Sequence, residues 1–153
     1  MRTRRSWREK MNNPNLPKIV PVPPRMQARY GNTGMLVPSP REVEGCMRGV
    51  PEGQVTTVTR IRESLARKYS VGVTCPLMAG ISVRLAAEAA EEDARAGRAD
   101  ITPYWRVVKA DGSLFDKFPG GVRSQQQRLR AEGRRFVAGR KGNPKVVLEE
   151  GDR

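Results

Sequence analysis

Apolar side chains recur at helical spacing in several parts of the chain, and capping residues mark where these segments begin. The first segment begins with Ser-Pro at 39–40, a helix cap followed by a residue that suits the first helical position. Val43 and Met47 lie four residues apart with Cys46 beside them, and Gly49 ends the pattern. We therefore predict a short helix that buries these side chains.

Two longer helices follow, joined by a short linker that contains a glycine. The second helix is predicted over 56–70, where Ile61 and Leu65 face inward, and Pro76 opens the third. The third helix carries an apolar stripe with a spacing of four: Leu77, Ile81 and Leu85. It ends in an acidic run made of Glu88, Glu91, Glu92 and Asp93. Two helices connected in this way are a helix-turn-helix candidate.

The second half of the chain predicts a β-hairpin and one more helix. Residues 104–108 are rich in strand formers and lead to Asp-Gly at 111–112, a dipeptide typical of hairpin turns. We expect residues 114–118 to return as a short strand or wing. A polar helix over 122–132 and a strand over 146–148 complete the predicted elements.

Proline content separates the first part of the chain from the rest. Five of the twelve prolines fall within the first 34 residues, which show little periodicity. We predict an extended or disordered, basic and proline-rich arm over 1–34, a folded domain over 35–133 and a basic tail over 134–153.

The formal net charge of +13 is unevenly distributed. It amounts to +7 over 1–30, +1 over 31–120 and +5 over 121–153. Basic flanks on an almost neutral body favour a polyanionic partner, because Lys and Arg gain affinity by neutralising phosphates and releasing counterions. Two alternatives remain for this charge, namely solubility alone and binding of RNA rather than DNA.

The composition excludes several kinds of chemistry. The chain has no histidine, so it lacks Ser-His and Cys-His pairs and every zinc site that needs histidine. Its two cysteines, Cys46 and Cys75, cannot form a four-thiolate metal site, and we expect no cofactor and no metal. No apolar run approaches the roughly 18 to 20 residues of a membrane-spanning helix, and no apolar signal segment follows the basic N-terminus. We expect a cytoplasmic protein that has no membrane partner.

Five short motifs occur in a fixed order along the chain. They are Val-Pro-Glu-Gly-Gln-Val-Thr-Thr at 50–57, Pro-Tyr-Trp-Arg-Val-Val at 103–108, Ala-Asp-Gly-Ser-Leu at 110–114, Gly-Gly at 120–121 and Ala-Glu-Gly at 131–133. Their order and spacing closely resemble the DNA-binding C-terminal domain of the alkylguanine-DNA alkyltransferases, over about residues 36–133. The resemblance implies a mainly α-helical, winged helix-turn-helix-like domain with a small β-hairpin or wing.

The chain departs from these enzymes at the residues that carry catalysis. The enzymes read Pro-Cys-His-Arg-Val, where Cys accepts the alkyl group and His helps to deprotonate it. This chain has Tyr104 in the Cys place and Trp105 in the His place, and only Arg106 of that motif is kept. A phenol without an adjacent base is a poor nucleophile for this transfer. The resemblance therefore implies a non-enzymatic alkyltransferase-like protein, which binds alkylated guanine without repairing it.

The resemblance also assigns contacts with DNA. Leu77 stands where the enzymes have an Arg that fills the gap left by a flipped base, and Val58 stands where they have a Tyr that helps to rotate the nucleotide. Leu77 is then either an apolar wedge between bases or a core residue of its stripe. The other candidates for contact with DNA are Thr57, Arg60, Arg62, Lys68, Met78, Ala79, Gly80 and Ser82. For Arg60, Arg62 and Lys68 the alternative is a solvated charged face, and for the small residues it is helix packing.

A lesion pocket is predicted at Tyr104, Trp105 and Arg106. Tyr104 would stack on or hydrogen-bond an extruded base. The alternative for both aromatic residues is packing within a strand, and the alternative for Arg106 is a structural role, bonding backbone carbonyls across the core.

The leading hypothesis is a monomeric, nucleoid-associated protein that binds duplex DNA, recognises alkylated guanine by nucleotide flipping and signals to a repair protein. Two other hypotheses stay open. One is a protein-interaction or regulatory module on the same scaffold, favoured by the acidic end of the third helix, which would repel phosphate. The other is a residual alkyl acceptor at Cys75, for which a packing or capping thiol is the alternative.

Overall fold

The computed structural model of the chain describes residues 4–152. Within this range there are six α-helices: α1 Trp7–Lys10, α2 Pro24–Tyr30, α3 Pro40–Arg48, α4 Val58–Lys68, α5 Pro76–Arg95 and α6 Gly121–Ala131. The strands are β1 Lys18–Val20, β2 Met35–Val37, β3 Thr56–Thr57, β4 Val73–Thr74, β5 Val107–Val108, β6 Phe136–Ala138 and β7 Pro144–Val146. Short 3₁₀ turns lie at Tyr104–Arg106 and Arg140–Gly142. The predicted class, mainly α-helical with small sheets, is confirmed.

The helices begin where the sequence signals place them. The Ser39 hydroxyl accepts a hydrogen bond from the Glu42 N–H at 3.2 Å, and α3 buries Val43 and Met47 as predicted. Thr57 caps α4 by accepting from the Arg60 N–H at 3.1 Å. A side-chain acceptor at these positions satisfies a backbone N–H that has no partner inside the helix, which fixes the start of each helix.

The core-facing side of α5 is not the predicted stripe. Leu77 is 71% exposed and Ile81 is 43% exposed, and Leu85 is only half-buried. The buried face consists instead of Ala79, Ser82, Val83, Ala86, Ala87, Ala89, Ala90 and Asp93. Small side chains let α5 lie close to its neighbours α1, α3 and α4. The alternative in which the stripe packs in the core is excluded, because close helix packing selects small residues rather than large apolar ones.

The N-terminal segment is folded, which corrects the prediction of an extended or disordered arm for the part of it that the structure describes. Strand β1 pairs with β2 in antiparallel register, with Ile19 opposite Leu36, and β2 pairs with β4 in parallel. Met11 and Val22 are buried in the body. Proline does not prevent this fold, because Pro24 occupies the first turn of α2, where its missing N–H costs no helical hydrogen bond.

The predicted hairpin over 104–118 is also corrected. Tyr104–Arg106 forms a 3₁₀ turn, and β5 pairs in parallel with β3 rather than with a returning strand. The Asp-Gly turn does form, since the Lys109 N–H donates to the Ser113 carbonyl at 2.9 Å. Residues 114–118, which follow the turn, contain no strand. The Phe115 N–H donates to the Gln125 side-chain oxygen at 2.9 Å rather than to a neighbouring strand.

The predicted basic tail forms a β-hairpin of its own. Strands β6 and β7 pair in antiparallel register, and Val146 is buried against Val55 and Leu129 in a second small core. Arg134 and Asp152 form an ion pair whose side chains are almost fully buried. The Asp152 carboxylate also accepts the Val55 N–H at 3.2 Å, so the end of the described chain is tied to the start of β3.

No helix within residues 4–152 has the length and apolar character that a bilayer crossing requires.

Candidate nucleic-acid interface

Helices α4 and α5 are joined by a linker whose backbone is held by the first sheet. The Cys75 N–H donates to the Leu36 carbonyl at 2.8 Å, and the Gly72 N–H donates to the Gly34 carbonyl at 3.3 Å. The Thr74 hydroxyl donates to the Arg62 carbonyl of α4 at 2.7 Å. These bonds fix the direction in which α5 leaves the linker, so the pair forms a rigid helix-turn-helix.

The first turns of α5 present an exposed apolar ridge. Leu77 and Ile81 lie one turn apart on the solvent side, and Arg84 lies on the same side and is exposed. Gly80 stands between them, and among the described residues no other element of the protein comes within 4 Å of the position that a Cβ would take there. Of the two interpretations of Leu77, the structure excludes core packing.

Four of the smaller residues predicted to contact DNA have other positions. Ala79 and Ser82 are fully buried, so they belong to the packed side of α5, and their assignment to the DNA-contacting surface is corrected. Thr57 is buried as the cap of α4, and Val58 packs against the main core. Met78 is half-buried, at the border between the two sides.

The three predicted phosphate-binding cations have contacts within the protein. The Arg60 guanidinium donates to the Asp152 carbonyl, and the Arg62 Nε donates to the Thr74 carbonyl at 3.2 Å. Lys68 lies 3.9 Å from the Glu42 carboxylate. Arg60 and Lys68 are exposed nevertheless, while Arg62 is half-buried.

Tyr104 fills the position predicted to be an open pocket. Its side chain is 1% exposed, and its ring packs edge-on against Trp105 and Phe118, with centroids 5.4 and 5.5 Å away. Its hydroxyl donates to the Glu91 carboxylate at 2.6 Å. Burial, together with this hydrogen bond, raises the pKa of the Tyr104 phenol. The prediction of Tyr104 as a surface that stacks on a base is corrected, because this ring offers no exposed face.

Trp105 and Arg106 share one carboxylate. The Trp105 indole N–H donates to Glu132 at 2.9 Å, and the Arg106 guanidinium donates to Glu132 at 2.8 Å and to the Val50 carbonyl at 2.8 Å. Burial opposes ionisation of Glu132, but the bonds from Arg106 and Trp105 outweigh it and hold the pKa of this carboxyl below its ordinary value. Arg106 therefore has the structural role that was the alternative in the sequence, and Trp105 stays half-buried.

Several residues that support these side chains have no signal in the sequence. Gln125 is fully buried, and its amide donates to the Val107 carbonyl at 2.8 Å and to the Trp105 carbonyl at 3.1 Å. Arg128 bonds Glu91 at 2.8 Å and lies 4.3 Å from the centroid of the Trp105 ring. On a helix as polar as α6, a single Gln or Arg looks solvent-exposed until the partner elements are known.

The acidic end of α5 is occupied by the N-terminal segment. The backbone N–H groups of Trp7 and Arg8 both donate to the Glu92 carboxylate at 3.0 Å. The Arg8 guanidinium bonds Asp93 at 2.6 Å and Glu44 at 3.0 Å. This surface was the reason to consider a protein-interaction module, and the structure uses it for an internal contact.

Both cysteines are half-buried. Burial raises the pKa of the Cys46 thiol, which disfavours its nucleophilic form. Cys75 packs beside the cluster of Val22, Met35 and Val73, and its side chain makes no capping bond to α5 within the described residues. A packing thiol describes Cys75 better than a capping thiol.

No protein-family model matches the chain, and no curated protein matches it in sequence. Two solved structures from S. pombe have the same fold. Atl1 in complex with damaged DNA containing O6-carboxymethylguanine matches with a TM-score of 0.51 and 21% identity. ATL in complex with DNA matches with a TM-score of 0.54 and 22% identity. In both cases the match covers 74% of this chain and 93% of the other. The chain therefore has the fold of an alkyltransferase-like protein.

Proposed function

We propose that this chain, built on the alkyltransferase-like fold, is a non-catalytic protein that binds duplex DNA through the first turns of α5. The observation that carries the proposal is the exposed apolar ridge of Leu77 and Ile81 on the second helix of a rigid helix-turn-helix. Exposed apolar side chains on a DNA-facing helix act as wedges between base steps. The two similar proteins of this fold were both solved in complex with DNA.

The finer part of the proposal is recognition of alkylated guanine by nucleotide flipping. Leu77 is the side chain that would fill the gap left by the flipped base. Solvent reaches the aromatic cluster around Tyr104 at the half-buried rings of Trp105 and Phe115. We assign contact with the extruded base to these two rings, with Tyr104 as the rigid support behind them.

The chemistry of Tyr104 supports the non-catalytic part of the proposal. A nucleophilic phenol must first lose its proton, and burial together with the bond to Glu91 raises the pKa of this phenol. Glu91 is also paired with Arg128 at 2.8 Å. A phenolate in this position would face the negative charge of Glu91. This repulsion disfavours formation of the phenolate, which is the nucleophilic form.

The experiment that tests the proposal is a binding titration with two duplexes that differ only by O6-methylation of one guanine. We expect salt-dependent binding to both and tighter binding to the methylated one. Equal affinity for both would contradict lesion recognition and leave duplex binding in place. Absence of binding at low salt would contradict the whole proposal.

Mass spectrometry of the protein after the same incubation tests the non-catalytic part. We expect an unchanged mass. A protein mass increased by one methyl group would contradict the proposal, and its position would show whether Cys75, Cys46 or Tyr104 is the acceptor.

A further inference from the structure

A basic groove of about 350 Å³ lies between α2 and α4, on the flank of the helix-turn-helix. We call it the α2–α4 groove. Arg29 and Tyr30 of α2 line one side, and Arg62 and Arg67 of α4 line the other. The linker from Val71 to Thr74 and three more residues of α4 complete the lining, namely Thr59, Glu63 and Ala66. Of the groove-lining residues, only Arg62 was a predicted DNA contact, because residues 1–34 were expected to form an extended or disordered arm.

Helix α2 is held firmly against the linker. Val22 and Met35 pack with Val73 in a small apolar cluster, to which Met26 and Tyr30 of α2 add their side chains. A Cβ at Gly72 would lie 2.3 Å from the Tyr30 carbonyl oxygen, so the two backbones approach more closely than any other residue would permit. The arginines of α2 therefore have a fixed position relative to α4 and α5.

Within the described residues, three arginines of this surface have no carboxylate partner, although Arg29 lies 5.2 Å from the centroid of the Tyr30 ring. Arg25 and Arg29 are four residues apart on α2, so they project from the same side, and both are exposed. Among residues 4–152, no carboxylate lies within 4.0 Å of the guanidinium groups of Arg25, Arg29 or Arg67. Glu63 is the one acidic residue among the groove-lining residues. Such a cluster of like charges is stabilised by a polyanion.

The groove lies beside the end of α5 that carries the apolar ridge. Thr74 lines the groove and directly precedes Cys75, the residue before the first turn of α5. The bond from the Arg62 Nε to the Thr74 carbonyl joins the two features. A duplex seated on Leu77 would therefore bring a flanking phosphate backbone toward Arg25, Arg29 and Arg67.

We propose that the α2–α4 groove binds the sugar-phosphate backbone of duplex DNA next to the site contacted by α5, which adds sequence-independent affinity. This inference rests on the proposed function. It assigns to the N-terminal segment a direct part in binding, because α2 supplies one wall of the groove. Phosphate contacts of this kind position a protein on the duplex and do not read its sequence.

The test compares two charge-matched double variants of the full chain. Arg25→Gln/Arg29→Gln removes the α2 charges, and Arg95→Gln/Arg98→Gln removes two exposed charges at the far end of α5. A helix of 20 residues is about 30 Å long, several screening lengths at physiological salt. Binding to an undamaged duplex is measured by fluorescence anisotropy between about 50 and 200 mM salt. Over this range the affinity falls steeply with the number of phosphate contacts.

The α2 variant is expected to flatten the plot of log affinity against log salt by about two, because each lost phosphate contact removes about 0.9 from the slope. Raising the salt from about 50 to 200 mM should therefore weaken binding of the variant by a factor about ten times smaller than for the wild type. The α5 variant should keep the wild-type slope. Arg67→Gln, on the opposite wall, should flatten the slope by about one.

Equal slopes for the two double variants would overturn the inference while leaving duplex binding intact. A wild-type protein that does not bind the duplex would instead contradict the proposed function itself. A slope change with single-stranded RNA but not with duplex DNA would also overturn the inference. Thermal unfolding of each variant shows that the fold is kept, which is expected because these arginines are exposed.

Discussion

The two ends of α5 belong to the same helix and have opposite surroundings. In the first half, Leu77, Ile81 and Arg84 face solvent, and Leu77 exposes most of its side chain. In the second half, small alanines are packed in the core, and the carboxylates of Glu91 and Glu92 are bonded by other parts of the protein. The first half contains no acidic residue, whereas the second contains all the acids of the helix.

The difference shows how one helix serves both stability and recognition. The second half is anchored by α1, α3 and the 3₁₀ turn, so its position does not depend on a ligand. In the first half, Ala79, Ser82 and Val83 pack in the core on one side, and Leu77 and Ile81 stay exposed on the other. Substitutions in the second half should therefore lower the free energy of unfolding. Substitutions of the exposed side chains in the first half should lower the affinity for DNA.

The largest expected effect comes from Arg8→Met, which breaks the anchor of the second half. Glu44 and Asp93 are both buried and would lose their cationic partner. Removing one partner of a buried ion pair costs about 3–5 kcal/mol, and because Arg8 keeps 29% of its side chain exposed we expect about 2–3 kcal/mol. Urea unfolding measures this loss.

The control for that variant is Arg5→Met, since Arg5 is exposed and its guanidinium donates to the Glu9 backbone carbonyl at 3.0 Å. It should unfold within about 0.5 kcal/mol of the wild type. Duplex affinity should be the same for both variants. Equal stability of the two variants would mean that the Arg8 contacts do not anchor the helix.

The next effect is on the first half and concerns binding alone. Leu77→Ala should leave the free energy of unfolding within about 0.5 kcal/mol of the wild type, because the side chain is exposed. It should weaken duplex binding about tenfold, which corresponds to about 1.4 kcal/mol of lost apolar contact. Leu148→Ala, at another exposed leucine, is the control and should leave both quantities unchanged. If Leu77→Ala lowered the free energy of unfolding but left the duplex affinity unchanged, Leu77 would contribute to stability rather than to binding.

Tyr104→Phe tests the contact between the second half and the aromatic cluster. The ring stays in place, and only the hydroxyl bond to Glu91 is lost. Glu91 keeps Arg128 as a partner, so we expect a destabilisation of about 1 kcal/mol in urea unfolding. Tyr30→Phe, in a half-buried tyrosine of α2, is the matched control. Preference for the methylated duplex should survive in both variants, since the ring is retained.

The smallest effect is the acid dependence contributed by Glu92. The N–H groups of Arg8 and then Trp7 lower the pKa of this carboxyl in the folded state. A lowered pKa contributes stability above the ordinary value of 4.5, and this contribution is lost as the pH falls through the folded value. Glu92→Gln should therefore unfold with a shallower dependence on pH below about pH 5 than the wild type. If the variant and the wild type show the same dependence of stability on pH, the bonds from the N-terminal segment do not lower the pKa of Glu92.

The starts of the helices could be predicted from the sequence because they depend on neighbouring residues. Ser39 and Pro76 act within one turn and begin their helices as predicted, whereas α4 begins at Val58, two residues later than predicted. The exposed ridge was less accessible to prediction. For Leu77 the sequence left a wedge and a core position open, and the burial of the alanines on the other side of α5 decides between them.

The remaining features depend on contacts between distant parts of the chain. Arg8 bonds Asp93 across 85 residues, and Trp105 bonds Glu132 across 27. Local pattern carries no information on such pairs, so the N-terminal segment looked unstructured and the pocket at Tyr104 looked open. The replacement of Cys and His was visible in the sequence, but the way in which Glu91 and Phe118 fill the space around Tyr104 was not.

The pairing of β1 with β2 has a thermodynamic consequence for a protein with basic flanks. A disordered arm loses conformational entropy when it settles on a ligand, which subtracts from its affinity. Here the segment is ordered by its own sheet before any partner arrives, so its arginines are preorganised. Association should then show the heat-capacity change of a rigid interface and lack the larger change that accompanies folding on binding.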